Sequence, residues 1–241
     1  MWTFGARDEL GGVDIAYQFA NSRSGSTPKK LLEGTSGVLL VDGYSGYNDI
    51  EKVSSRRRAA CYAHVRRYFF DSLKTAPIAQ EALDLITALY RVEHEAKEAR
   101  FDESSHLELR RLRAGPIREQ LKVWLDAQQR HQPPKSPLGT AIRYTLGQWE
   151  QLGVFLDDAR VPLDNNASER ALRRIALGRK NYLFVGDVAA GKSLAGLYSV
   201  VATCEARGIN PFEYLVDVLP RVQDHPAARL DDLLPGAWAA R

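Results

Sequence analysis

Cysteine, long apolar runs and net charge are what this 241-residue chain has least of. The two cysteines, Cys61 and Cys204, stand far apart. That usage excludes a disulfide framework and points to a reducing compartment. No apolar run approaches the ~20 residues that a membrane-spanning helix requires. The first residues carry Asp8 and Glu9 without a basic leader, so no secretory signal is expected, and the cytoplasm is the expected location. No internal repeat and no convincing helix-turn-helix pattern is present. The formal charge is only +3, so any nucleic-acid affinity must come from local basic clusters rather than from the global balance. A hydrophobic content of 44% and a charged content of 26% are ordinary for a globular protein of one large or two small domains.

Two stretches carry chemistry. The first is Val161–Val185, in which Asp164, Asn165 and Asn166 can each cap a helix. The spacing predicts a helix running to about Ala176 and stopping at Gly178, with Ala171, Leu172, Ile175 and Ala176 toward a core. Glu169 lies in its first turns, among Arg170, Arg173, Arg174, Arg179 and Lys180. One acid among five bases suits a carboxylate that holds a metal beside groups that hold a polyanion. Taken alone, the stretch reads as a capped amphipathic helix with a solvated basic face. The second stretch, Val38–Val41, is an apolar run ending at Asp42 and followed by Gly43-Tyr44-Ser45-Gly46-Tyr47. It reads as a buried strand presenting a carboxylate at its end. A strand-end Asp and a helix-borne Glu are hard oxygen donors of the kind that two-metal phosphoryl-transfer sites use with Mg²⁺.

With S-R-S-G at Ser22–Gly25, V-D-G-Y-S-G-Y-N at Val41–Asn48, C-Y-A-H-V-R-R-Y-F at Cys61–Phe69, L-D-N-N-A-S-E-R-A-L-R at Leu163–Arg173, G-R-K-N-Y-L-F-V-G at Gly178–Gly186 and H-P-A-A-R-L-D-D-L-L-P at His225–Pro235, the chain resembles the insertion-sequence-66 family of DDE transposases over nearly its whole length. The resemblance implies an α/β ribonuclease-H-like core, a large α-helical insertion and a helical C-terminal tail. It divides the chain into core residues 1–74, insertion 75–156, the rest of the core at 157–205 and tail 206–241. It implies Asp42 as the second and Glu169 as the third catalytic and metal-binding acid, with Mg²⁺ or Mn²⁺. Arg66, Arg67, Arg170, Arg173, Arg174, Arg179 and Lys180 would meet DNA phosphates, and sequence readout would lie elsewhere. The implied partners are DNA at element ends and target, further copies of the chain, and accessory proteins of the same element, in a bacterial, nucleoid-associated setting. The family places the first acid on a strand upstream of a segment like Met1-Trp2-Thr3-Phe4, between the Trp2–Ala6 and Val38–Asp42 strands. That strand is missing here, so the expected product is a fragment inactive by itself.

Along the chain, Trp2–Ala6, Val13–Phe19, Val38–Asp42 and Ala59–Ala63 read as strands, with a glycine turn at Asp8–Gly12 and a short helix at Thr27–Glu33. Residues 65–73 and most of 78–156 read as helices, interrupted at Gly115-Pro116 and at the linker Gln132–Pro137. Ile142 through Leu156 forms the last of them. Asn210-Pro211 starts a further helix to Val222, and Trp238 is expected to pack. Three motifs tempt otherwise. Cys61 and His64 form a C-x-x-H pair without two further ligands at zinc spacing, which favours a packed Cys and a hydrogen-bonded His. Glu93-His94-Glu95 lacks H-E-x-x-H spacing and reads as a charged outer face. Gly186-Asp-Val-Ala-Ala-Gly191-Lys192-Ser193 matches the phosphate-binding G-x-x-x-x-G-K-[ST] pattern between the strand-like Tyr182–Val185 and a helix. Too little chain follows to complete a nucleotide-binding sheet in the usual order, so the match reads as a coincidence. Two alternatives therefore stand beside the transposase reading: a non-catalytic DNA-binding remnant, and a P-loop nucleotide hydrolase.

Overall fold

The computed structural model describes residues 1–7, 11–181 and 184–239, without the side chain of Arg179. In chain order the elements are β1 (Trp2–Arg7), β2 (Val13–Gln18), α1 (Ser26–Leu32), β3 (Ser36–Val41), α2 (Ile50–Val53), β4 (Ser55–Ala60), α3 (Tyr62–Ser72), α4 (Ala79–Glu98), α5 (Glu103–Leu109), α6 (Gly115–Gln129), α7 (Pro137–Leu146), α8 (Asn166–Asn181), α9 (Val188–Ala206), α10 (Pro211–Val222) and α11 (Pro235–Ala239). Short 3₁₀ turns cover Ser45–Tyr47, Gln151–Leu156 and Ala227–Leu233, and a π turn covers Arg110–Ala114. The chain is thus mixed α/β and mostly helical. It divides into two compact units, residues 25–165 and residues 1–24 with 166–241.

The unit of residues 25–165 has one large core. Val65 and Phe69 of α3, Ile86 and Leu89 of α4, Leu121 and Leu125 of α6, and Leu138 and Ile142 of α7 are buried together. These positions recur at three- and four-residue spacing, so each helix turns one stripe inward. Where the sequence predicts an interruption at Gly115-Pro116, a π turn leads straight into α6, with Pro116 in the first turn of α6. The π turn delivers Arg110 into the core at 1% exposure. Its guanidinium donates to both Glu93 carboxylate oxygens at 2.8 and 2.6 Å and to the carbonyls of Phe155, Asp158 and Val161 at 2.7–3.0 Å. Glu93 therefore belongs to a buried ion pair, with His106 also 3.2 Å away. Only His94 and Glu95 lie on the charged outer face expected for the triplet, paired with Glu98 and Arg113. The last predicted helix of this region is also shorter: α7 ends at Leu146, and the apolar Leu152, Val154 and Phe155 are buried from a 3₁₀ turn instead.

In the other unit β1 and β2 form an antiparallel pair, Trp2 opposite Gln18 and Arg7 opposite Val13. The outer edge of β2 is satisfied by side chains of α9. Ile15 N–H donates to Thr203 Oγ1 at 2.9 Å, and Tyr17 N–H donates to Ser199 Oγ at 2.8 Å. Four residues of helix rise about 6 Å and two residues of strand about 6.8 Å, so hydroxyls at i and i+4 meet amides at j and j+2. The Tyr17 hydroxyl donates to the Ala171 carbonyl of α8 at 2.8 Å. At the C-terminal end Asn210 caps α10 as expected, accepting from Phe212 N–H at 3.0 Å. Trp238 packs edge-on against Tyr214.

Three further expectations are corrected. The strand predicted at Ala59–Ala63 is Ser55–Ala60, because Arg56, Arg57 and Arg58 extend it and helix α3 begins at Tyr62. Helix α8 does not stop at Gly178 but runs to Asn181. Its inward stripe is Ala171, Ile175 and the buried Gly178, while Leu172 and Ala176 are exposed. A helix glycine costs about 1 kcal/mol against alanine, and here it sits on the packed face. The predicted strand at Tyr182–Val185 falls partly on Tyr182 and Leu183, outside the described residues, as does most of the Asp8–Gly12 turn. Phe184 and Val185 are irregular.

Candidate nucleic-acid and metal site

In the unit of residues 25–165, β3 and β4 pair in parallel, from Ser36 opposite Ser55 to Val41 opposite Ala60. Their carboxyl ends therefore share one edge, and the residues that follow, Asp42 and Cys61, emerge there side by side. Asp42 is half-buried. Its Oδ1 accepts from Tyr44 N–H at 3.0 Å, the local turn that Asp favours. The turn continues through Ser45–Tyr47, where Tyr44 and Tyr47 meet edge to face. Burial first, then the charge of Asp42, pushes the Tyr47 phenol up to about 12. The backbones of two separate glycine motifs meet here. A Cβ on Gly25 of S-R-S-G would stand 2.6 Å from the carbonyl oxygen of Gly46 in G-Y-S-G-Y, so the two backbones touch only without side chains.

Cys61 is buried, and burial raises its thiol pKa, with the Asn165 amide partly opposing the shift. A neutral, packed thiol is a poor zinc donor. His64 is buried one turn into α3. Among the described residues no group of three or more His, Cys, Asp or Glu is placed to hold a metal ion. Arg66 and Arg67 lie exposed on α3.

The segment Leu163–Asp164–Asn165 crosses this same edge. Tyr62 N–H donates to the Leu163 carbonyl at 2.9 Å, Asn165 N–H donates to Cys61 Sγ at 3.5 Å, and the Tyr90 hydroxyl donates to Asp164 Oδ2 at 2.9 Å. Burial, reinforced by the Asp164 charge, raises the Tyr90 phenol well above its ordinary range. The role of Tyr90 escapes sequence reasoning, because in the pattern of α4 it is one more apolar-stripe residue.

Glu169 belongs to the other unit, exposed in the first turn of α8. An acid there complements the positive end of the helix dipole. Arg170, Arg173 and Lys180 are exposed on the same helix. Arg174 is ion-paired with Glu205 of α9. The side chain of Arg179 lies outside the described residues. The structure thus places Asp42, Arg66 and Arg67 in one unit, and Glu169, Arg170, Arg173, Arg174 and Lys180 in the other.

The phosphate-loop lookalike is not a loop. Helix α9 starts at Val188, and the Asp187 carboxylate caps it by accepting from Ala190 N–H at 2.8 Å. An anion thus already occupies the helix start, where a phosphate would have to bind. Lys192 and Ser193 are exposed within the helix. Gly191 is buried against Phe19, 2.5 Å from where its Cβ would stand, so packing accounts for that glycine.

Sequence comparison supplies the family. A family model described as "Transposase IS66 family" matches residues 1–193, and one described as "IS66 C-terminal element" matches residues 199–235. The chain belongs to the IS66 transposase family. Three proteins of Sinorhizobium fredii are similar to it. Uncharacterized protein y4jD is 35% identical over 94% of this chain and 46% of its own length. Uncharacterized protein y4hP is 34% identical over 99% and 47%, and uncharacterized protein y4qI is 34% identical over 98% and 46%. The chain therefore spans about half the length of the curated relatives it matches. No solved structure matches it. Among the described residues no helix is long and apolar enough to cross a membrane.

Proposed function

We propose that the chain is the catalytic and C-terminal part of a DNA transposase that cuts and joins DNA strands with a divalent metal, acting in the bacterial cytoplasm at the nucleoid. The observation that carries the reading is the position of Asp42, at the carboxyl edge of a parallel strand pair in a chain matched by the transposase family. Asp42 and Glu169 are the carboxylates that would hold Mg²⁺ or Mn²⁺, and their hard oxygens fit such ions. The bound ion would supply charge stabilisation of the attacking and leaving oxygens at phosphorus. The residues of the chain do the rest: Asp42 is oriented by its turn to Tyr44, and Arg66, Arg67, Arg170, Arg173, Lys180 and, by sequence, Arg179 neutralise phosphates. Arg174 would have to exchange Glu205 for DNA to join them. The reading includes a ribonuclease-H-like core. Further copies of the chain and accessory proteins of the element would complete the assembly.

A non-catalytic DNA-binding role is the second reading. It is favoured by the lack, among the described residues, of a three-donor metal cluster. Both readings require DNA binding. Affinity for duplex DNA should fall steeply between about 50 and 200 mM salt. Replacing Arg170 and Arg173 by Ala should reduce the log–log salt slope by about 2 in total. Affinity indifferent to salt and to both substitutions contradicts both readings. Mn²⁺ binding by calorimetry that is lost in Asp42→Asn separates the first from the second.

A further inference from the structure

We infer that Tyr90 and Cys61 are positioning residues that latch Leu163–Asp164–Asn165 onto the carboxyl edge of β3 and β4, and so set the point from which the Glu169 helix departs. The inference rests on the proposed metal chemistry for its purpose, but not for its geometry. Three hydrogen bonds hold three consecutive residues. They come from three places: the amide of Tyr62 at the start of α3, the thiol of Cys61 at the end of β4, and the hydroxyl of Tyr90 in the middle of α4. All lie within the unit of residues 25–165. Asn166 opens α8, and Glu169 follows Asn165 by four residues.

Each bond uses chemistry that the position needs. The phenol is half-buried, so its hydroxyl requires an acceptor. The nearest is the Asp164 carboxylate, and a hydrogen bond to a charged group is stronger than a neutral one. Sulfur is a weak acceptor, so Cys61 orients the Asn165 amide without holding it as firmly as a carbonyl would. In this arrangement Asp164 serves as an acceptor for Tyr90 and not as a metal ligand, which separates its role from those of Asp42 and Glu169. A neutral acceptor at position 164 should then suffice, and this makes the assignment testable.

Four chains are compared with wild type: Tyr90→Phe, Asp164→Asn, Asp164→Ala and the reference Asp42→Asn. Each is first shown by thermal melting to be folded. Two quantities are read: exchange of the Asn165 amide by NMR, and Mn²⁺ affinity by calorimetry. Tyr90→Phe and Asp164→Ala should speed that exchange at least tenfold and weaken Mn²⁺ at least fivefold. Asp164→Asn, which keeps an acceptor, should stay within twofold of wild type on both. Unchanged exchange in Tyr90→Phe overturns the latch. Loss in Asp164→Asn equal to that in Asp164→Ala overturns it too, because charge and not position would then be what matters. Faster exchange with unmoved Mn²⁺ affinity, in a protein where Asp42→Asn abolishes binding, overturns the link to the metal. Wild type without Mn²⁺ binding means that the proposed function has failed separately, and the exchange result alone then decides the latch.

Discussion

The unit of residues 25–165 and the unit of residues 1–24 with 166–241 each support a two-stranded sheet, and they do so with different materials. The first surrounds its parallel pair with one large apolar core and ties helix to loop through a buried arginine. Among its described residues the second has small apolar clusters, around Tyr17 with Ala171 and around Cys204 with Tyr214, and helix hydroxyls bonded to the β2 edge. Parallel strands are normally covered on both faces, which demands apolar bulk. An antiparallel pair with a helix along one edge can be held by polar contacts whose geometry matches the strand repeat. The difference bears on the candidate carboxylates: Asp42 follows a strand of the first unit, and Glu169 stands on the exposed face of a helix in the second.

The largest effect that would sharpen this contrast is expected at Arg110. Arg110→Ala removes every partner of the Glu93 carboxylate that the guanidinium supplies and strands three carbonyls. It should destabilise the first unit by about 3–5 kcal/mol, read from urea unfolding. Arg110→Lys should recover little, since one ammonium cannot reproduce the planar fork. Smaller losses, about 1–2 kcal/mol each, are expected in the second unit from Thr203→Val and Ser199→Ala, which leave strand amides without acceptors. If these equal the Arg110 loss, the contrast between the units fails.

How much of this was legible beforehand depends on the range of the interaction. The Asp42 strand end, the Asn210 cap and the apolar helix stripes were readable because they rest on neighbours in sequence. Arg110 looked like any member of R-R-L-R, since its partners lie 17 to 51 residues away. Ser199 and Thr203 looked like helix residues without a task. Gly178 was misread as a stop because a glycine does not say whether packing or conformation requires it; the Gly186–Ser193 match was read as a coincidence, and the packing of Gly191 on Phe19 supplies the reason for its glycine. The roles of Tyr90 and Cys61 depend on the return of residues 163–165 to the sheet edge, which no local pattern announces.

Two smaller effects test these readings. Asp187→Ala removes the α9 cap and should cost about 1 kcal/mol. Neither it nor Lys192→Ala should alter nucleotide binding, which is expected to be absent by fluorescence titration; saturable ATP binding lost in Lys192→Ala would restore the phosphate-loop reading. The smallest effect concerns pH. Hydrogen bonds from Lys29 and Lys52 hold the Asp49 carboxyl below its ordinary 3.8. A depressed carboxylate stabilises the fold above its unfolded pKa, and that contribution disappears as pH falls through the folded value. Asp49→Asn should therefore lower stability slightly at neutral pH, leave it unchanged once the wild-type carboxyl is protonated in both states, and so flatten the acid limb of the stability curve.

The most direct test of the account is calorimetric titration of Mn²⁺ into the folded chain, into Asp42→Asn and into Glu169→Gln. Measurable binding by wild type that each substitution weakens, with unchanged thermal melting, is the predicted result. Binding indifferent to both substitutions, or no binding by a folded wild-type chain, would contradict the assignment of Asp42 and Glu169 as the metal-holding carboxylates.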